Sequence, residues 1–162
     1  MMLFLSTYIN KLDKKGRVSV PASFRSSLTQ LSSGSIIAYS SFINPCVEAS
    51  GINRIEMLSQ TIDNLDPYSE ARDAFATTIL GGCIQLGIDG EGRVILPEDL
   101  IEFANLGEQA CFVGKGATFE IWNPSTFEEY AAKAREIAKK DRHILQFSSK
   151  SLINNRGEKL SI

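Results

Sequence analysis

Histidine and cysteine are scarce in this chain of 162 residues, which removes most metal and thiol chemistry at the outset. The only histidine is His143, and the three cysteines, Cys46, Cys83 and Cys111, never form a Cys-x-x-Cys pair. A structural zinc needs about four such ligands at short spacings, so neither a metal site nor a cofactor is expected. An odd number of cysteines among apolar neighbours fits small core residues in a reducing cytosol. Long hydrophobic runs are also missing, and nothing approaches the ~20 apolar residues of a membrane span. The apolar start Met1–Leu5 has no basic leader and no small-residue cleavage site, so it is not read as a signal peptide. A large charge excess is absent too: the net charge of −2 argues against a non-specific polycation. There is no Walker-type glycine-rich loop, no Cys/His pair at a recognisable spacing, and no nucleophile elbow around Ser19. The adjacent acids Glu128 and Glu129 fall in a helical first turn, where they cap. No enzyme is expected.

What the chain does contain is a repeat. Asp13-Lys14-Lys15-Gly16-Arg17-Val18-Ser19-Val20-Pro21 returns 76 residues later as Asp89-Gly90-Glu91-Gly92-Arg93-Val94-Ile95-Leu96-Pro97. An internal repeat fixes architecture before chemistry is considered. Strand signals precede each loop, at residues 3–12 and 83–88, and follow it, at 17–20 and 93–96. Pro21 and Pro97 then open short helices, 22–28 and 98–106. The first helix is broken at Ser33-Gly34 and the second ends at Gly107. Two further strands follow in each copy: 35–42 and 46–49, then 111–113 and 118–122. The pattern places Glu48 and Glu120 at matching positions. Helical stripes occur at Ile52, Ile55, Leu58, Ile62 and Leu65, at Tyr68, Ala71, Phe75 and Ile79, and at Phe127, Tyr130, Ala131, Ala134, Ile137 and Ala138. All three are read as core faces. Trp122 is read as core or subunit interface, and His143 as a partner of the last helix's C-terminal dipole.

The organisation expected is α+β and mainly β. One β unit covers 7–54, a helical connector 55–82, a second β unit 83–126, a C-terminal helix 127–144 and a mobile tail 145–162. Each β unit is too small to hold a core alone, so the copies are expected to interlock about a pseudo-twofold axis into one barrel-like body.

The loops share a frame but not a charge. Residues 1–25 carry Lys11, Lys14, Lys15, Arg17 and Arg25 against Asp13 alone. Residues 83–108 carry Arg93 against Asp89, Glu91, Glu98, Asp99, Glu102 and Glu108. This is either drift on a solvated face or a first loop built to meet a polyanion. The loop pattern also admits two readings. In one, Asp13 and Asp89 simply pin their turns and pair with Arg17 and Arg93. In the other, Gly16 reverses the chain, Arg17 presents a rigid fork to guanine or phosphate, and Lys14 and Lys15 anchor phosphates without reading sequence. Crowding three cations on one tip costs stability without a polyanion, which favours the second.

The succession strand–DKKGRVSVP–helix, then GIDGEGRVILP and VGKGATFEIW, resembles the MraZ family over about residues 3–140. These are bacterial transcriptional regulators built from two SpoVT-AbrB units. The resemblance implies swapped-hairpin, AbrB-like units of double-psi-barrel type with peripheral helices. It implies a ring-shaped homo-oligomer in the cytoplasm, associated with the nucleoid. It also implies double-stranded DNA as partner: repeated G-containing promoter boxes upstream of a division and cell-wall gene cluster that the protein represses. Asp13 and Arg17, and by repeat Asp89 and Arg93, are then the DNA-recognition residues, with Lys14, Lys15 and Gly16 completing the first loop. Two positions depart from the family pattern. Glu91 replaces a basic or neutral residue, and Ile101 stands where an arginine is common, which leaves open whether the second loop touches DNA. A competing reading is an AbrB-like interaction module of antitoxin type without its own operator.

Overall fold

The computed structural model describes residues 3–31 and 34–146. Ser33 of the expected helix break lies outside them, as does the expected tail from residue 147 onward. The first copy contains β1 (Thr7–Lys11), β2 (Arg17–Ser19), α1 (Ala22–Leu31), β3 (Ile36–Ser40) and β4 (Val47–Ser50). The connector contains α2 (Ile52–Asp63) and α3 (Glu70–Phe75), which runs into a π-helical turn at Ala76–Leu80. The second copy contains β5 (Ile84–Leu86), β6 (Arg93–Ile95), α4 (Glu98–Phe103), β7 (Gln109–Gly114) and β8 (Phe119–Trp122). The long helix α5 (Pro124–Lys140) and a 3-10 turn, Arg142–Ile144, follow. The chain forms two compact units, Met1–Phe127 and Glu128–Ile162, and both copies of the repeat lie in the first.

Strand pairing exchanges partners between the copies. The large sheet runs β1-β7-β8-β4-β3-β5, and β2 pairs with β6 in a separate two-stranded ribbon; every pairing is antiparallel. The first strand of each copy lies against the third strand of the other: Tyr8 faces Phe112, and Ile84 faces Ala38. Equivalent residues meet at two places, Val18 with Val94 and Glu48 with Glu120. Those two pairings mark a pseudo-twofold axis, and neither copy could form its sheet alone.

One core serves both copies. Val18, Val20, Val94 and Leu96 from the ribbon meet Phe24 and Leu28 of α1, Leu100 of α4, and Phe112, Phe119 and Ile121 from the sheet. Phe24 is fully buried, with ring centroids 5.4 Å from Phe4 and 5.0 Å from Phe119. Strand β3 is buried on both faces, as its unbroken apolar run requires. Ile36 and Ala38 face the main core, while Ile37 and Tyr39 meet Ile55 and Ile62 of α2 and Ile79 of the π turn. The two facing glutamates are accommodated by donors. Glu48 accepts from the Tyr39 and Ser41 hydroxyls, and Glu120 from Trp122 Nε1 at 2.9 Å, with Lys115 Nζ 3.4 Å away. Trp122 is itself buried in the core.

Several local expectations need correction. The strand expected over 3–12 is interrupted at Ser6, whose φ of 76° bends the chain between the Phe4–Gly116 bridge and β1. The hairpin around Lys15-Gly16 lasts for one bridge, Leu12 with Val18, because β2 leaves β1 to bury Val18 against Val94. Tyr68 precedes α3 and is 95% exposed, and α3 buries no residue. Of the stripe that runs from Tyr68 only Ile79, beyond α3 in the π turn, is buried; α5 buries no residue fully, and its Ile137 is 60% exposed while Phe127 packs on Trp122. His143 lies in the 3-10 turn rather than at the end of α5.

Candidate nucleic-acid interface

Each Asp-x-x-Gly-Arg loop is pinned by its own carboxylate. Asp13 Oδ1 accepts from the backbone N–H groups of Lys15 (2.9 Å) and Arg17 (2.8 Å), and Asp89 Oδ1 accepts likewise from Glu91 (2.8 Å) and Arg93 (3.0 Å). The glycines close the turns with positive φ, 81° at Gly16 and 78° at Gly92, where a side chain would be strained. The loops are then locked crosswise to the opposite ribbon strand's exit. Leu96 N–H donates to Gly16 O at 2.8 Å, and Val20 N–H to Gly92 O at 2.9 Å. The two turns are therefore held by the same axis that organises the core.

The arginines differ in what they leave free. Arg17 Nε donates to Asp13 Oδ2 at 2.6 Å, and the terminal guanidinium nitrogens have no partner among the described residues. Arg93 Nε donates to Asp89 Oδ2 at 3.2 Å, but its Nη2 is also held by Glu91 at 3.2 Å. One arginine thus presents an open two-nitrogen edge, oriented by an aspartate; the other has one prong occupied. Lys14 and Lys15 are exposed on the first tip and make no ion pair among the described residues, whereas Gly90 and Glu91 hold those places on the second. Asp13 and Asp89 pin and orient, so the structural reading of the carboxylates holds, and it is what leaves the Arg17 fork available.

Hydrogen bonds from the Arg17 backbone, then from its guanidinium and from the Lys15 backbone, hold the Asp13 carboxyl below its usual range against a partial opposing effect of burial. Asp89 is lowered in the same way, first by the Arg93 backbone. A carboxylate with a depressed folded value stabilises above the ordinary value of ~3.9, and that contribution is lost as pH falls through the folded value. Acid titration followed by amide NMR should therefore leave the loops unchanged down to about pH 4. Below that, the Lys15, Arg17, Glu91 and Arg93 amides should shift, and Asp13→Asn should remove the transition from the first loop alone. Loop amides indifferent to acid would show that the carboxylates do not hold the turns.

Among the described residues no group of three or more His, Cys, Asp and Glu could hold a metal ion, and no helix is long and apolar enough to cross a membrane. Burial raises all three thiols above their usual range, so none is a ready thiolate.

Comparison with known proteins bears on the whole arrangement. The family described as "MraZ protein, putative antitoxin-like" matches residues 79–147, which include the second loop and α5. Relatives named "Transcriptional regulator MraZ" match over 90% of the chain. The protein of Rickettsia akari is 53% identical over 146 residues, covering 90% of this chain and 98% of its own length. The Rickettsia felis protein is 54% identical with the same coverage, and the Rickettsia bellii protein 54% identical over 147 residues. The chain belongs to the MraZ family. These MraZ relatives are named as regulators and not as enzymes.

Within this MraZ-family frame, two features of the loops escaped sequence reasoning. The Glu91–Arg93 ion pair is a two-residue spacing whose geometry depends on the turn. The other is Arg25 of α1, whose guanidinium occupies the space above Gly92, so that a first-copy cation lies against the second loop. The equivalent residue, Ile101 of α4, lies against Gly16, with Cδ1 3.5 Å from where a Gly16 side chain would begin. The repeat aligns Arg25 with Ile101, but only the exchange of strands between copies brings each to the opposite loop.

Proposed function

We propose that this chain is a sequence-specific, double-stranded-DNA-binding transcriptional regulator. It adopts the two-unit swapped-hairpin, AbrB-like fold, with units at 7–54 and 83–126 joined through the 55–82 connector. The observation that carries the reading is the open Arg17 edge, fixed by Asp13 and flanked by exposed Lys14 and Lys15. A guanidinium held at Nε aims its remaining nitrogens as a pair, the arrangement that suits guanine O6 and N7. The lysines anchor the phosphates on either side. The exchange of strands between copies supports the fold, and the names of the relatives support the regulatory role.

The chain acts from the cytoplasm at the nucleoid, as a ring-shaped homo-oligomer bound to repeated promoter boxes, repressing its own division and cell-wall gene cluster. One small basic loop on an acidic protein binds weakly at cellular salt. Several loops on consecutive boxes gain affinity through effective concentration. The description "antitoxin-like" favours a second reading, an AbrB-type module that acts through a protein partner and lacks its own operator.

A mobility-shift titration of the DNA upstream of the chain's own gene, without added protein partner, separates the two. Binding should fall steeply with salt. Lys14→Ala and Lys15→Ala should weaken all sequences alike and reduce the salt slope by about 0.9 for each phosphate no longer neutralised. A sequence-selective effect would mean that the lysines, not Arg17, read the bases. No shift by the unmodified protein would favour the partner-dependent module.

A further inference from the structure

The large sheet has two faces. Val47 and Ala49 of β4 and Phe119 and Ile121 of β8 point into the core shared with the ribbon. Glu48 and Glu120 alternate to the other face, and there they line a cavity of about 320 Å³. That volume falls at the lower end of small-molecule sites, roughly 300–1,000 Å³. Phe42, Ile43 and Leu58 form its apolar side, and Phe42 and Ile43 are exposed between β3 and β4. The carboxylates inside are already served, Glu48 by the Tyr39 and Ser41 hydroxyls and Glu120 by Trp122 Nε1 and Lys115. One cation is not. Arg54 reaches the cavity from the first turn of α2, and its Nε is enclosed without a hydrogen-bond partner. Its guanidinium makes no ion pair among the described residues. Nor does its position on the helix favour it. Helix α2 starts at Gly51 with no side-chain cap and no acidic residue in its first turn, and a cation there opposes the positive end of the helix dipole.

We propose that this cavity binds a small organic anion, a carboxylate or phosphate monoester on a compact apolar body, with Arg54 as its anion ligand and Phe42 and Ile43 covering the apolar part. The planar fork of a guanidinium matches either group. The anion supplies the partner that Arg54 lacks, and it places negative charge in the first turn of α2, where the dipole favours it. The apolar side lowers the local dielectric and strengthens that pairing. Glu48 and Glu120 set a limit: their donors compensate them without reversing their charge, so the ligand carries one anionic group and not two. The cavity and the ribbon lie on opposite faces of the sheet, and the proposal stands apart from the DNA-binding reading.

Trp122 is the only tryptophan of the chain, and its indole is bonded to Glu120 at the cavity wall, so its fluorescence reports on the site. The full chain is titrated with phenylacetate, 4-methylpentanoate and phenyl phosphate, and with phenylacetamide as the uncharged control. Thermal unfolding is the folding check. At least one anion should give a saturable change and bind about tenfold more tightly than phenylacetamide, the difference between a charge-assisted and a neutral hydrogen bond. The order of the carboxylates and phenyl phosphate then identifies the anionic group. Arg54→Gln should erase the preference for anions without lowering the unfolding temperature, because it removes an uncompensated cation. Phe42→Ala, at an exposed position, should weaken every probe several-fold. A saturable change with none of the three anions, or no preference over the amide, overturns the proposal. So does an Arg54→Gln protein that keeps the preference. Should Arg54→Gln not fold, Phe42→Ala decides, and parental affinity in that variant overturns the proposal. A response that emerges only when the protein is diluted out of its assemblies means that a second copy fills the cavity, which overturns it as well.

Discussion

Arg17→Ala should weaken binding to the chain's own upstream DNA by about 5- to 150-fold for each box engaged, equivalent to ~1–3 kcal/mol for one bidentate pairing with a base. The effect should be confined to cognate boxes, with binding to an unrelated duplex reduced only modestly. The geometry gives the reason. Asp13 Oδ1 already satisfies two backbone N–H groups, and Oδ2 fixes Nε of Arg17, so the orientation of the side chain is set before any contact with DNA. The fold should not depend on it, because a half-exposed i,i+4 ion pair contributes little to stability. Arg17→Lys should rescue poorly, since a point charge cannot reproduce a planar two-nitrogen edge. Arg93→Ala is the internal control, and its effect should be much smaller because Glu91 already occupies Nη2. The readout is a mobility-shift series on cognate and unrelated DNA, with circular dichroism as the folding check. A folded Arg17→Ala protein with parental affinity for the cognate boxes would remove Arg17 from the site, and equal weakening by Arg17→Ala and Arg93→Ala would mean that Glu91 does not mask the second arginine.

How much of this could be read from the sequence depends on distance along the chain. The repeat revealed the two turns, the glycines with positive φ and the prolines that start α1 and α4, because all of these are local. Glu48 and Glu120 align in the repeat, and they face each other across β4 and β8. The register of exchange was not legible. Nothing local to Arg17–Ser19 tells β2 to pair with β6 rather than fold back on β1; burial of Val18 against Val94 decides it. The placement of Arg25 was hidden for the same reason, since it is 67 residues from Gly92 in sequence and meets it only through that exchange. The stripes on α3 and α5 show the opposite failure. Helical periodicity reports that a face is apolar but not what covers it, and among the described residues α3 and α5 themselves contain no fully buried side chain.

Gly16→Val should be the most damaging single substitution in either loop, lowering stability by about 3 kcal/mol or more. Two penalties act together. The φ of 81° is one that a β-branched residue strongly resists, and a Cβ would begin 2.7 Å from the carbonyl oxygen of Leu96. That oxygen belongs to the backbone of the opposite copy, next to the bond from Leu96 N–H to Gly16 O, so the clash cannot be relieved by turning a side chain. Moving the loop away would break that bond and pull Leu96 from the shared core. The equivalent Gly92→Ala sets the comparison. Its φ is also strained, but the first obstacle is the end of the Arg25 side chain, which can swing aside. Its cost should therefore stay near the backbone strain alone, about 1–3 kcal/mol. Denaturant unfolding of both variants provides the measurement. If Gly16→Val matched Gly92→Ala in stability, the crosswise lock between the copies would not be the rigid element that sets the cationic tip, and the orientation of Arg17 would have to come from Asp13 alone.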